Sequence, residues 1–510
     1  MQTRSTQFDI LASGDVRPLS WGFRVSFDKQ FDEDVTFFTL DQSVLNGVDV
    51  LAPSESNVIQ EWDKYDYANY DERVVSMEWQ REEIVPYSVT LAMADITLNN
   101  YDKFFTRGSG SPIEAGLLPR RPVRILSGFN GENIPKFVGL STKVPETDSG
   151  SRTANIHAED FLSFIFTRTL SEDTLLVEKK THEILEYLFD LVGLVPDQYE
   201  LDESFNTVAF VYWPKGASMG DIVRELMQAE LGTLYMDEAG KIRFKNRFKA
   251  TASSVMDFNE DNIIEYKILN DDTIINSVDI KAEVREVQPT QPVYNLAGPF
   301  EIPGDSTVSR FFDFQDPVLE ILDIVNFKAT ANQDGSGTDL TANITATYDL
   351  FATSIKVDFT NSSSTKAWMT ELIIFGSPAQ VVRNIDYSAK DEPSIDRFEE
   401  QHIEIQNNFI QTEDAAASVA LSLISYYNNY ANTIELNVKG SPALQLGDTI
   451  GVNVDTIDEN YIIIKIQEVL SGGQYQQRIT GRVFNTPAFF TLSSDSVTMS
   501  LLNGDDVLAI

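Results

Sequence analysis

The sequence predicts a mainly β protein with α+β parts, and three observations carry that prediction. Five strand-like runs, TIELNV (433–438), ALQL (443–446), TIGVNV (449–454), YIIIKI (461–466) and QRITGRVF (477–484), crowd into about fifty residues punctuated by Gly447-Asp448 and Gly472-Gly473. Strands and turns at that density predict a small barrel. A comparable strand set occurs nearer the N-terminus, and helical periodicity is confined to a few short stretches between the two. With 510 residues, the chain exceeds one core, and ~100–200 residues per domain predicts three or four.

In chain order, Val89, Leu91 and Met93 alternate, and DITLNNYDKFF then reads as strand, turn and aromatic anchor. Asn130-Gly131 supplies the positive-φ residues for a loop between strands at 123–126 and 137–140. SRTANIHAEDFLSFIF adds a third strand, after which Asp160 starts a short helix. From Thr181, as N-cap, Ile184, Leu188, Leu191 and Val192 mark an amphipathic helix stopped by Gly193. A second helix starts at Ser218, carries Ile222, Val223, Leu226 and Met227 on one face, and ends at Gly232. TLYMDEAGKIRFKNRF follows as two short strands around Gly240. Residues 290–390, rich in Thr, Asn, Ser and Asp, predict an all-β insertion with strands at TDLTANITATYDL, SIKVDFT and ELIIFG. Thr412 then caps a helix whose stripe is Ala416, Val419, Ala420, Leu423 and Tyr427.

RPVRILSG, PKFVGLSTKV and RTANIHAEDF align in pattern with SPALQLGD, ENYIIIKIQEV and QQRITGRVF. Each set has a Pro-led strand, a Gly corner, an aromatic-led strand and a returning strand that ends in Phe161 or Phe484. A duplicated barrel is the expectation.

The composition supports folded protein, with 42% apolar and 11% aromatic residues. Its 78 acidic against 39 basic residues give a net charge of −39, which repels polyphosphate and excludes a DNA-gripping protein. The absence of cysteine rules out disulfides, thiolate metal sites and a Cys nucleophile. MQTRSTQFDILASGDV lacks the continuous apolar core of a signal peptide. No run approaches the ~18 apolar residues of a membrane span, so the expectation is a protein without a membrane anchor.

The reactive inventory is thin. Gly216-Ala217-Ser218-Met219-Gly220 matches the G-x-S-x-G elbow, but Ser218 with Asp221 makes a capping pair that satisfies free helix N–H groups, and that reading is preferred. His157, His182 and His402 are far apart and lack metal-ligand spacing. Asn332, Asp334, Ser336 and Gly337 fall at calcium-loop positions, yet the twelfth position is Asn343 rather than Glu, so a plain turn is expected. No phosphate-cradling motif occurs. The prediction is a non-enzymatic protein with no catalytic, cofactor-binding or metal residues and no cofactor.

In their order, DITLNNYDKFF, RPVRIL to ANIHAEDF, GASMGDIVRELMQAELGTLYMDEAGKIRFKNRF, ELIIFGSPAQVVRN with EPSIDRFEEQHIEI, TEDAAASVALSLISYY and GSPALQLGDTIGVN with NYIIIKIQEV resemble the tail hub (baseplate hub, or minor tail tip) proteins of tailed bacteriophages. The likeness runs over most of residues 85 to 485. It implies two tail-tube-like β-barrels per chain, a homotrimeric ring at the tail tip, and localisation in the virion after synthesis in the host cytoplasm. Implied partners are the tail tube or distal tail protein, the tape measure protein and tip or fibre proteins, with phage DNA passing through the lumen without specific binding. Three copies with two barrels each would match a sixfold tube to a threefold tip, and an acidic wall would pass DNA without holding it.

The expected organisation is an N-terminal tail-tube-like barrel over 1–165 and an α+β domain with two helices over 166–250. A second barrel with one helix follows over 251–289 and 391–485, with the all-β insertion at 290–390 and an extended arm at 486–510 that docks on a partner. The alternatives are a tail-tip-associated cell-wall or polysaccharide hydrolase, using carboxylates too numerous here to single out, and a carbohydrate-binding surface protein.

Overall fold

A fourteen-stranded sheet runs through both ends of the chain in the computed structural model, which describes residues 2–13, 17–27, 37–38, 50–51, 65–82, 89–170, 173–247, 254–271, 273–428 and 431–483. Phe484 and the arm expected at 486–510 lie outside the described residues. The N-terminal part of the sheet includes β1 (Val74–Glu82), β2 (Met93–Asn99), β3 (Pro122–Phe129), β4 (Glu132–Ser141), β5 (Glu146–Asp148) and β6 (Thr153–Glu159), with Leu19–Val25 paired to the outer edge of β3. Asn130 and Gly131, at φ 52° and 84°, form the two-residue turn of the β3–β4 hairpin, whose twist suits antiparallel strands. After β2 the chain is anchored as expected: Asn100 accepts from the Phe105 amide at 2.9 Å, and the Phe105 ring is fully buried.

The alternation read from Val89, Leu91 and Met93 has the wrong phase. Ala92, Ala94, Ile96 and Leu98 point into the core, whereas Leu91 and Met93 are exposed. The run is broken because Val89–Thr90 pairs with another sheet, and the Ala92 amide is held by Asp160. Small alanines fill the inner face where Ala94 meets Ala158 of β6.

The C-terminal part comprises β7 (Ile263–Asp271), β8 (Ala431–Val438), β9 (Thr449–Val454), β10 (Ile457–Ser471) and β11 (Gln474–Val483). ALQL is not a strand: Gly440 and Gly447, at φ 71° and 77°, bracket the run. Ala443, Leu444 and Leu446 are nevertheless buried, because Lys136 takes the carbonyls of Pro442 and Leu444 in place of a ladder partner. The pattern match between Pro122 and Pro442 therefore fails, since Pro122 opens β3 and Pro442 lies in a turn.

The other two pairs of that match hold, β4 with β10 and β6 with β11, within a repeat of five strands. The first set is ordered β1-β2-β6-β4-β3 and the second β7-β8-β11-β10-β9, with every neighbouring pair antiparallel. The equivalent strands also follow one another in the same order along the chain. Both sets carry a bulge at one place: the register slips between Val74 and Ser76 and between Ile263 and Glu265, leaving Val75 and Ile264 outside. Counting along the ladders from there aligns Ile96 with Leu436 and Ile156 with Ile479. The sets have separate cores, one around Phe23, Trp79, Ile96 and Ile156, the other around Phe258, Leu436, Ile450 and Ile479.

A third core lies between them. It gathers helices α1 (Phe161–Phe166), α2 (Thr181–Leu191), α3 (Met219–Glu230) and α4 (Glu413–Tyr427) with strands including Ser277–Val287. In α2, Thr181 is the first helical residue and Lys180 the N-cap, with Glu183 accepting from the Lys180 amide at 2.8 Å. The buried stripe is Ile184, Leu185, Leu188 and Phe189, and Leu191 is exposed, a rotation of about one residue from the predicted face. α3 ends at Leu231 in the left-handed region, φ 52°, one residue before Gly232. α4 buries the five predicted stripe residues in this same core, against the strands Ser277–Val287 and Ala367–Lys390.

A segment inserted between β7 and β8 carries a fourth core of Ile302, Val357, Phe359, Met369 and Ile374. It is joined to the rest by one long strand, Ala367–Lys390, whose later half pairs with Ser277–Val287.

Candidate functional site: the seam between the strand sets

The sequence motifs with catalytic potential resolve into structural parts. Ser218 Oγ accepts from the Asp221 amide at 3.3 Å as the N-cap of α3. His157 contacts Asp95 and lies 3.4 Å from Glu146. His182 shares hydrogen bonds with Ser204 at 2.9 and 3.2 Å, and His402 faces Ser277 and Asp279. The three histidines thus sit on three different elements. In the calcium-like loop, Asp334 accepts from the Ser336 amide and hydroxyl at 3.0 and 2.6 Å, and Gly337 turns at φ 88°. Asn343 closes a separate 3-10 turn, so the loop is self-satisfied. Among the described residues no three His, Asp or Glu side chains gather as metal ligands.

The densest buried polar cluster lies where the two strand sets join. β1 pairs antiparallel with the later half of β10, from Ser76 opposite Ser471 to Glu82 opposite Lys465. Glu468 of β10 is 1% exposed and points inward on the same phase as Ile466 and Leu470. It forms an ion pair with Lys136 of β4 at 3.2 Å. Trp79 Nε1 of β1 donates to it at 2.5 Å, Gln477 Nε2 at 3.1 Å, and the Tyr475 hydroxyl also donates. Burial and the neighbouring Glu468 carboxylate hold the Tyr475 phenol well above its usual range, so it stays a donor.

Lys136, 1% exposed, completes its shell with the Pro442 and Leu444 carbonyls at 2.5 and 3.4 Å. Beside it, Arg81 donates to the Lys136 carbonyl at 3.1 Å and pairs with buried Glu238 at 3.0 Å. Burial pushes the Glu238 carboxyl upward, but the Arg81 and Lys136 charges outweigh it and hold the group below the usual range. Gln445 Nε2 donates to the second Glu238 oxygen. One network therefore ties the first set, the second set and the β-hairpin of the middle unit together.

A buried pair of this kind adds little net stability against an apolar alternative, but it is costly to break because each charge is left without its counter-charge. It fixes orientation: Glu468 reaches four donors only if β1, β4 and β10 keep this register. The network holds no nucleophile with an adjacent base, and its chemistry is positional. None of these residues was singled out from the sequence. The signal available was a charged residue in an inward phase, Lys136 in NIPKFVGL and Glu468 in IIKIQEVL.

A further buried acid pins the end of the first set. Asp160 accepts from the Leu162 amide at 3.1 Å as the cap of α1 and from the Ala92 amide at 2.7 Å. Burial dominates these bonds and pushes the carboxyl up to about 7.

No family model and no curated protein matches the chain. Among solved structures it is similar to the prophage MuSo2 43 kDa tail protein from Shewanella oneidensis, at 11% identity and a TM-score of 0.45 over 82% of this chain and 95% of that one. It is similar to a tail protein from Neisseria meningitidis, at 10% identity and a TM-score of 0.46 over 82% and 93%. A third likeness is to the prophage tail protein gp18 from Listeria monocytogenes, at 10% identity and a TM-score of 0.40 over 83% and 93%.

Proposed function

We propose that the chain is a structural virion protein, a trimeric hub at the distal end of a phage tail. The observation that carries the reading is the repeat of five antiparallel strands in one spatial and chain order, with a bulge at the same place. Each set is read as one tail-tube-like barrel, so three copies offer six similar surfaces to a sixfold tube while the tip beyond keeps threefold symmetry. A rigid join between the sets is what such an adaptor needs, and the Lys136–Glu468 network supplies it.

The net charge of −39 fits a wall around an exit channel through which DNA slides without binding. The partners in this reading are the tail tube or distal tail protein above, the tape measure protein within, and tip or fibre proteins outside. The insertion, standing on its own core, faces those outer partners. Native mass spectrometry of the purified chain is expected to give three copies, and electron microscopy of antibody-labelled virions to place the label at the tail's distal end. Label on the shaft or capsid would refute the reading.

A further inference from the structure

The two strand sets differ at one edge. In the first, β1 lies between β2 and β10, and Met77, Trp79 and Arg81 are 0, 2 and 6% exposed. Its counterpart in the second, β7, pairs with β8 alone among the described residues. By ladder position Ile268 stands where Trp79 does, opposite Ile434 as Trp79 is opposite Ala94, yet Ile268 is 56% exposed and the bulge residue Ile264 59%. An apolar, half-paired edge strand is a template for another strand.

The first set carries the matching vacancy. β10 offers β1 its later half, which runs past β9. The equivalent of that half is β5, which among the described residues pairs only with β6 and is exposed along its length. Through the shared ladders, Glu146, Thr147 and Asp148 occupy the places of Gln467, Glu468 and Val469. Those residues face Gln80, Trp79 and Glu78, whose counterparts are Leu269, Ile268 and Lys267.

We propose that β7 of one copy pairs antiparallel with β5 of a second copy of this chain, in the register that β1 and β10 adopt within one chain. Lys267 then lies opposite Asp148, Ile268 opposite Thr147 and Leu269 opposite Glu146, so the one pair of opposed charges is complementary. Asp148 is held below the usual carboxylate range by the Ser151 hydroxyl and the Gly150 amide, and so carries its charge. The contact is head-to-tail, and three such contacts close a ring in which β1–β10 and β7–β5 joints alternate. The inference rests on the trimeric reading and names its joint.

The chain has no cysteine, which makes a cross-link decisive. Directly opposed residues in an antiparallel pair come within disulfide reach. Full-length protein carrying Ile268→Cys and Thr147→Cys, once oxidised, is expected to run as linked dimers and trimers on non-reducing gels, while each single variant runs as one chain. In sedimentation, Lys267→Glu is expected to weaken assembly about tenfold and Lys267→Glu with Asp148→Lys to restore it. A trimer that neither cross-links nor responds to Lys267→Glu would overturn this joint and leave the hub reading intact. A wild-type chain that stays single at all concentrations would overturn both.

Discussion

β1 and β7 hold the same place in two strand sets wired alike, yet β1 buries Met77, Trp79 and Arg81 on its inward face and β7 exposes two isoleucines. Sequence hydrophobicity does not account for the difference: VVSMEWQRE in β1 and IIEYKILND in β7 each carry three charged residues, Glu78, Arg81 and Glu82 against Glu265, Lys267 and Asp271. What buries β1 is its second neighbour, β10, and the network gathered around Glu468. Burial of a strand is thus decided by whether both of its edges are covered.

The comparison can be broken most forcefully at Trp79. Trp79→Ala is expected to destabilise the sheet by about 3–5 kcal/mol in denaturant unfolding, since it opens a cavity and removes a donor from Glu468. Glu468→Ala leaves Lys136 buried without its counter-charge, and a loss of about 3 kcal/mol or more is expected. Adding Lys136→Met to Glu468→Ala should recover part of that loss, and strict additivity in the double variant would show that the two charges are not coupled.

Just past its last strand the first set continues into Asp160 and α1. Because burial raises the Asp160 carboxyl to about 7, the folded chain keeps that proton over a pH range in which the unfolded chain, near the ordinary value of about 4, has lost it. The folded state binds more protons there, so the contribution of this group to stability falls as pH rises from about 4 to 7 and is constant above. Asp160→Asn is expected to flatten that slope in melting temperatures measured across the interval. In the middle unit, Ser218→Ala should cost only about 1 kcal/mol, the worth of an N-cap. The smallest effect is expected at Ile268: in the unassembled chain Ile268→Ala should change stability by less than about 0.5 kcal/mol. A loss there as large as at Trp79 would mean that β7 is already covered.

Much of the architecture was legible locally. Asn130-Gly131 marked a hairpin, Asp160, Ser218 and Thr412 marked helix starts, and the stripe from Ala416 to Tyr427 marked α4, because turns and caps depend on residues a few positions apart. The phase of β2, the false strand at 443–446 and the cap of α2 were not legible. In each case a distant group decided: Asp160 holding Ala92, Lys136 holding the carbonyls after Ser441, and the middle core turning α2 by one residue.

By itself the sequence determined that the chain is mostly β, lacks cysteine, carries a net charge of −39 and repeats a strand pattern, since composition and short-range pattern are properties of the chain alone. Only the tertiary structure decided that β3 corresponds to β9 rather than to the run at 443–446, where the buried charges Lys136, Arg81, Glu238 and Glu468 meet, and which edge stays open. Register and pairing join residues hundreds of positions apart, and no local pattern encodes which edge will find a neighbour.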